Sequence, residues 1–274
     1  MKKPLIVSFS GGQTSAYMTY KMMNEHCPQM DEYEPYILFA NTGCEHPKTL
    51  EFVRNCERKF GWNVIWLEAV IREGRRVGTT YQEVSFATAA LDGVPYEAMI
   101  AKYGIPNTMF PHCTRELKLR PIEAWCRENL GTAHPLTAIG IRTDESRRVS
   151  KTRSDIIYPL IDWFPSDKQD VNDFFERMPF SLGLPPHLGN CVWCWKKSNT
   201  KLLAAMSDIP EAFDFPARME KEYGLDRRGK PVTFFRQHRS TEDLRKMLLE
   251  TGVPPEQMLD SSPCSESCEF IQTE

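Results

Sequence analysis

The sequence predicts an α/β fold: a doubly wound, mostly parallel five-stranded sheet, followed by a helical region that carries cysteines. Three observations predict it. Short apolar runs alternate with helix-period segments at about thirty-residue spacing through the first half of the chain, as in sheets built from βαβ units. The first run ends in two adjacent glycines, Gly11 and Gly12, flanked by hydroxyl side chains. The second half reads mostly in helical period.

Leu5–Phe9 reads as a buried strand and Thr14–Asn24 as a helix with Ala16, Tyr20 and Met23 on one face. Tyr36-Ile37-Leu38-Phe39-Ala40 is a second strand ending in Asn41-Thr42-Gly43, and Pro47 opens a helix that turns Leu50, Val53 and Phe60 inward. Val64-Ile65-Trp66-Leu67 is the third strand. Residues 72–112 are less regular and read as an excursion, a candidate lid, with one helix near Tyr96–Tyr103. A helix from Thr114 to Glu128 follows, with Leu117, Ile122 and Cys126 buried. Leu136–Ile141 is the fourth strand. Ile156–Ile161 is the fifth, with Pro159 marking a strand end or a sheet edge. Helices are expected at Asp170–Met178, Thr200–Met206 and Glu211–Tyr223, and one more opens at Ser240-Thr241-Glu242-Asp243, a capping-box pattern, and closes at Gly252. The expected layout is an α/β domain over residues 1–165 and a helical region over 166–274.

A chain of 274 residues can bury a large core. Its net charge of −3 gives no general attraction to nucleic acid or anionic membrane, although a local basic patch is left open. No apolar run is long enough to span a bilayer, and Lys2-Lys3 precedes too short an apolar stretch for a signal peptide, so a cytoplasmic location is expected. Nine cysteines in a reducing compartment argue against a disulfide framework. Cys56 and Cys126 fall on apolar helix faces and read as small core residues; the clustered ones call for another explanation.

In the stretch Ser8-Phe9-Ser10-Gly11-Gly12-Gln13-Thr14-Ser15, loop amides and a helix N-terminus converge on one spot, as in phosphate sites. An ordinary strand-to-helix turn would also use these residue types. The loop has no Lys-Ser/Thr ending and no third glycine, so it is neither a Walker loop nor a dinucleotide loop. It falls at the carboxyl end of a strand, as does Asn41-Thr42-Gly43, where open α/β sheets bind ligands.

Ser10-Gly11-Gly12-Gln13-Thr14-Ser15 matches Ser-Gly-Gly-x-x-Ser, the pyrophosphate loop of the PP-loop superfamily, whose fold is adenine nucleotide alpha-hydrolase-like. Cys113-Thr114-Arg115-Glu116-Leu117-Lys118, with Arg120-Pro121-Ile122 after it, resembles the Cys-Thr-x-x-Leu-Lys segment of the phosphoadenosine phosphosulfate (PAPS) reductase family. Asn41-Thr42-Gly43 with His46-Pro47 resembles that family's second-strand segment. Gly140-Ile141-Arg142 with Asp144-Glu145-Ser146 and Arg148 resembles its Gly-x-Arg-x-Asp-Glu-Ser-x-x-Arg segment. Tyr158-Pro159-Leu160 and Cys191-Val192-Trp193-Cys194 continue the likeness in order, so that it covers about residues 5–200, in the form often carried by bacteriophages.

The resemblance implies that Ser8, Ser10, Gly11, Gly12, Gln13, Thr14 and Ser15 hold the phosphates of an adenine nucleotide, either ATP or one of the adenosine phosphosulfate type. Asn41, Thr42, Gly43 and Gly140 would complete the nucleotide site, with Asn41 a candidate for the nucleoside. Arg115, Lys118, Arg142 and Arg148, with Arg147 nearby, would neutralise phosphate or sulfate charge, arginine doing so through paired, permanent contacts. Asp144 and Glu145 would either hold magnesium or orient the arginines, and the second is favoured. The resemblance also implies a [4Fe–4S] cluster on Cys113, Cys191 and Cys194, with Cys268 or Cys264 as fourth ligand. Zinc on the same cysteines is the alternative, and uninvolved core cysteines come third.

A sulfonucleotide reductase carries its nucleophile in a C-terminal Glu-Cys-Gly-x-His segment. This chain instead has Pro263-Cys264-Ser265-Glu266-Ser267-Cys268-Glu269, and it has no adjacent cysteine pair. Three functions follow. The first is an enzyme that cleaves ATP at the α-phosphate to activate an acceptor, with a thiol or other sulfur donor. The second is a sulfonucleotide reductase with Cys268 or Cys264 as nucleophile. The third is a nucleotide-binding protein without turnover. Neither the acceptor nor any role for nucleic acid is legible, and a homo-oligomer is the default expectation for assembly.

Overall fold

The computed structural model describes residues 2–74, 76–226 and 228–254. In chain order the strands are β1 (Lys3–Ser8), β2 (Tyr33–Asn41), β3 (Val64–Ile71), β4 (Thr79–Val84), β5 (Leu136–Ala138) and β6 (Ile156–Ile157). They form one six-stranded sheet in the order β4-β3-β2-β1-β5-β6, parallel except for β4 at one edge. The fold is therefore α/β with a mostly parallel, doubly wound sheet. The chain builds outward from β1 to β4 on one side and then crosses back to place β5 on the other. This reversal puts a topological switch point between β1 and β5, where the carboxyl ends of the two strands open a crevice.

The helices are α1 (Gln13–Asn24), α2 (Pro47–Phe60), α3 (Val94–Tyr103), a single turn α4 (His112–Thr114), α5 (Arg120–Leu130), α6 (Pro159–Asp162), α7 (Lys168–Glu176), α8 (Asn199–Asp208), α9 (Asp214–Tyr223) and α10 (Thr241–Thr251). Strand alternation divides the sheet's side chains between two cores. Leu5, Val7, Ile37, Phe39, Val64 and Trp66 face α1 and α2, whereas Ile6, Leu38 and Leu67 face Ile122, Trp125 and Cys126 of α5. Helix α7 joins the first of these cores, with Phe174 packed edge-on against Tyr17 of α1.

The sixth strand is β4, inside the stretch read as irregular. Its sequence, Thr79-Thr80-Tyr81-Gln82-Glu83-Val84, is β-prone but carries no apolar alternation. Polar contacts hold it instead. Thr79 bonds Glu116, Trp125 Nε1 donates to Glu83 at 2.8 Å, and Tyr81 donates to Glu128 at 3.0 Å. At the other edge, β5 and β6 are shorter than expected. Ile139 still donates to the Ile157 carbonyl at 3.0 Å, but Gly140 turns against α1, and Pro159, which has no N–H to donate, starts α6 instead of extending β6.

Between α4 and α5 the chain makes one π-helical stretch, Arg115–Leu119. The wider turn shifts the buried face part-way along one continuous helical run. Cys113 and Leu117 pack into a third core formed by α3, α8, α9 and α10, whereas Ile122 and Cys126 pack on the sheet. π-Turns of this kind recur at functional sites, and this one holds the Cys-Thr-x-x-Leu-Lys segment. The capping box expected at Ser240 and Asp243 is formed, and Gly252 closes α10 in the left-handed region.

Candidate functional site

A cavity of about 290 Å³ opens at the switch point. Its floor is the turn from β1 into α1, where Ser10, Gly11, Gly12, Gln13, Thr14 and Ser15 all line it. Gly11 sits at φ 77°, and a Cβ there would meet Thr49 Cγ2 at 2.8 Å and the Phe39 ring at 3.0 Å, so only glycine turns the chain this tightly against α2. Gly12 is the N-cap of α1 and supplies no side-chain cap, and the first turn of the helix has no acidic residue. The leading N–H groups of α1 have no partner within the helix, and its positive dipole end faces the cavity.

Ser15 fixes the shape of this loop. Its hydroxyl accepts from the Ser10 amide at 3.1 Å, donates to the Gly12 carbonyl at 2.9 Å, and lies 3.0 Å from the Ser10 hydroxyl. Ser8 is buried at the end of β1, behind the cavity surface. Gly140 brings the turn after β5 against the start of α1, since a Cβ there would lie 3.1 Å from Ser15 Cα. That close approach puts Arg142 on the cavity wall.

The Arg142 guanidinium donates to Thr14 Oγ1 at 2.8 Å, and its other face holds Asp144 through two bonds of 2.9 Å. Glu145 lies 3.3 Å from Arg142 and 2.5 Å from Arg148. Both carboxylates are thus paired with the arginines. Hydrogen bonding from Arg142 holds the Asp144 carboxyl below the usual carboxylate range. The opposite wall carries residues the sequence reading missed. Lys168, Val171 and Asn172 come from the start of α7, and Leu182, Leu184, Pro185 and Pro186 from the connection after it. Their only sequence signal was a lysine at a helix start, which is common on solvated surfaces. The titratable side chains lining the cavity are Arg142, Arg148, Lys168 and Glu145. A phosphate chain with an apolar group beside it matches that lining.

Asn41, Thr42, Gly43, Arg115 and Lys118 are placed elsewhere. Asn41 is fully buried; its amide donates to Glu68 at 2.7 Å and to the Ala90 carbonyl at 2.8 Å. It ties β2 to the segment after β4 and does not line the cavity. Arg115 pairs with Glu116 at 2.7 Å and opens into a separate cleft with Arg76, Lys102, Arg120 and Arg127. Lys118, half-buried in the π-turn, is also outside the cavity lining. A helix start near a strand end does not fix azimuth, and the π-turn rotates Arg115 away from the loop.

Thr42 and Gly43 serve a second assembly. The Glu45 carboxylate accepts from the Thr42 amide at 2.9 Å and the Thr42 hydroxyl at 2.8 Å. Residue Glu45 forms an antiparallel bridge with Cys191, and Thr42 Oγ1 lies 3.6 Å from Cys191 Sγ. Cys113, Cys191 and Cys194 are buried in the third core, and the half-buried Cys44 packs against that core. Trp195 Nε1 donates to Cys113 Sγ at 3.4 Å. Tyr96 is buried at the same place, its phenol pushed well up by burial and by the Cys113, Cys191 and Cys194 thiols around it. Burial likewise raises the Cys44 thiol, with Cys191 adding to the shift. Trp193 stacks on Phe215 at 5.0 Å and meets Tyr96 edge-on at 5.0 Å, closing an aromatic shell. Among the described residues, no three Cys, His, Asp or Glu side chains are arranged to hold a metal ion. Cys264 and Cys268 lie outside the described residues.

A glycine loop at a sheet switch point, faced by arginines and a lysine, defines a nucleotide-using PP-loop protein. The phosphoadenosine phosphosulfate reductase domain model matches residues 4–174, and the chain belongs to that family, whose members are enzymes. An uncharacterized nin-region protein, ORF290, of Escherichia phage lambda is 31% identical over 97% of this chain and 94% of its own length, which marks a phage-type member. Two uncharacterized proteins of Methanocaldococcus jannaschii are also similar. One is 27% identical over 56% of this chain and 26% of its own length, the other 24% identical over 80% and 48%. No helix among the described residues is long and apolar enough to cross a membrane.

Proposed function

We propose that this protein binds ATP in the switch-point cavity and cleaves it at the α-phosphate to activate an acceptor for sulfur transfer. The observation that carries this reading is the joint lining of one cavity by the Ser10–Ser15 loop, Arg142, Arg148 and Lys168. The loop amides and α1 would hold the β- and γ-phosphates. An acceptor oxygen or nitrogen would attack the α-phosphorus, the bond to the bridging oxygen would break, and pyrophosphate would leave with the electron pair. Arg142 and Arg148, fixed in place by Asp144 and Glu145, would stabilise that departing charge together with a magnesium ion largely held by phosphate and water. A sulfur donor could then displace AMP from the activated acceptor. The Leu182–Pro186 segment offers the adenosine an apolar wall.

The thiols around Tyr96 support a [4Fe–4S] cluster on Cys113, Cys191 and Cys194 more than zinc. Soft thiolates in a dry aromatic shell, one receiving an indole N–H, suit an iron–sulfur group. When bound, the cluster would supply electron transfer or, with an open iron, a place to carry sulfur.

The test is to offer the protein ATP and, separately, adenosine phosphosulfate and PAPS, with candidate acceptors and a thiol reductant. AMP and pyrophosphate from ATP are the expected products. Sulfite from a sulfonucleotide, lost in a Cys264→Ser/Cys268→Ser variant, would replace this reading with reduction by a tail thiolate. Tight binding with no product from any substrate would indicate a protein that has kept the site and lost turnover.

A further inference from the structure

The cleft that receives Arg115 has a volume of about 440 Å³ and shares no lining residue with the switch-point cavity. The turn from β3 into β4 supplies Arg76, α3 supplies Lys102, the π-turn Arg115, and α5 Arg120 and Arg127. Five cations thus line it with two carboxylates, Glu116 and Glu123, on a chain whose net charge is −3. Neither carboxylate commands the opening. Glu116 is buried, holding Thr79 and Arg115, and Glu123 pairs with Arg120 at 2.6 Å. Arg76 and Arg127 are exposed and form no ion pair among the described residues. Lys102 braces the turn that carries Arg76, donating to the Arg72 and Val77 carbonyls at 2.6 Å each. Arg120 and Arg127 are two turns apart on α5, about 10 Å along one face.

An aromatic stack leads out of this cleft from Tyr103. The Tyr103 ring lies 5.7 Å from His112 at 29°, and His112 lies 5.8 Å from Phe110 at 9°. The Arg115 guanidinium sits over Tyr103 at 5.8 Å and 3.2 Å from His112 Nδ1, tying the stack to the basic wall. At the outer end Phe110 is 55% exposed, beside Met109 at 80%. The turn that presents them is built, because Asn107 Oδ1 accepts from the Met109 and Phe110 amides at 3.0 Å each.

We propose that the cleft and the stack together bind single-stranded nucleic acid, with phosphates along Arg76, Arg120 and Arg127 and an unpaired base continuing the stack on Phe110. A basic groove beside aromatic faces meets both demands of an unpaired strand, since its phosphates need cations and each base offers a flat face. An acidic peptide would use the cations and leave the aromatic stack without a purpose. A duplex keeps its bases stacked on one another and cannot offer one to Phe110. The cleft opens at the carboxyl end of β3, where Thr79 pairs with Ile71, and β3 lies two strands from β1. A bound strand would therefore run along the edge of the sheet that also carries the glycine loop. The proposal does not rest on the ATP reading, because the two sites share no residue and strand binding needs no nucleotide.

The experiment is fluorescence anisotropy of labelled strands of about twelve nucleotides with the full-length protein and no ATP. The probes are DNA and RNA single strands of one mixed sequence, the corresponding DNA duplex, and labelled polyglutamate. Compared are the parent, Phe110→Ala, Arg76→Gln/Arg127→Gln, and Arg58→Gln/Lys59→Gln, which removes two exposed cations from α2 on the other face of the sheet. Circular dichroism checks the fold of each. Single strands are expected to bind more tightly than the duplex or polyglutamate. Phe110→Ala should weaken them about 5- to 150-fold, the loss of one stacked base. Arg76→Gln/Arg127→Gln should lower the slope of log affinity against log salt by about two, and the α2 variant should match the parent. A preference for DNA or for RNA bears out the proposal either way and shows whether the 2′-hydroxyl is read. No binding of either strand, equal affinity for the duplex, parental affinity in both cleft variants, or an equal loss in the α2 variant would overturn it. Polyglutamate bound as tightly as the strands would make the cleft a peptide site and overturn it as well.

Discussion

Replacing Arg142 with Ala is expected to lower nucleotide turnover about 10²–10³-fold, the loss that follows removal of one preorganised donor from an oxyanion site. Arg142 reaches the cavity only because Gly140 lets the turn after β5 press on α1. Once there it is fixed on three sides, by Thr14 at 2.8 Å and by two bonds to Asp144. The guanidinium is thus paid for before substrate arrives, and its charge meets the leaving pyrophosphate without reorganisation. Removing it also shifts the balance of the lining, from three cations and Glu145 to two. An Arg142→Lys variant keeps the charge and loses the planar fork, so an intermediate rate is expected. Steady-state pyrophosphate release, with circular dichroism to show that the fold is intact, checks both. Parental turnover in Arg142→Ala would remove Arg142 from the mechanism.

Substituting Gly11 with Val is expected to cost about 2–5 kcal/mol of stability, since it combines a left-handed backbone with overpacking. The backbone at φ 77° disfavours any β-branched residue, and the added Cβ would lie 2.8 Å from Thr49 Cγ2, on a helix that is buried against the sheet. Neither Thr49 nor Phe39 has space to retreat, because both are buried. Urea denaturation reads the effect as a lower midpoint at an unchanged slope. Nucleotide binding should weaken in the same protein, because relief of the clash moves the Ser10–Ser15 amides. A midpoint equal to that of the parent would show that the loop has slack that its contacts do not suggest.

Much of this architecture is legible in the sequence, and the limits are physical. The parallel strands announce themselves because both of their faces are buried, which makes Leu5–Val7 and Ile37–Phe39 continuous apolar runs. Strand β4 does not, since its partners are polar: Glu83 with Trp125 and Thr79 with Glu116 hold an edge that hydrophobic patterning passes over. The glycine loop and the Arg142 segment are recognised as short motifs, and the fold brings them together as their positions at strand ends imply. Asn41 and Arg115 carry the same kind of motif evidence but point elsewhere, one into a buried brace and the other into a different cleft. Motif position gives the neighbourhood of a residue, whereas side-chain direction depends on turns such as the π-helical stretch. Cys44 was visible as a cysteine at a strand end. Its relation to Cys191, 147 positions later, exists only once Glu45 and Cys191 pair.

The pocket assignment is tested most directly by a crystal structure of the protein with magnesium and an ATP analogue that resists cleavage between the α- and β-phosphates. The phosphate chain is expected over Gly11–Ser15, between Arg142 and Lys168, with the adenosine along Leu182–Pro186. A nucleotide seated instead in the cleft of Arg76, Arg115 and Arg127, with the glycine loop untouched, would contradict it.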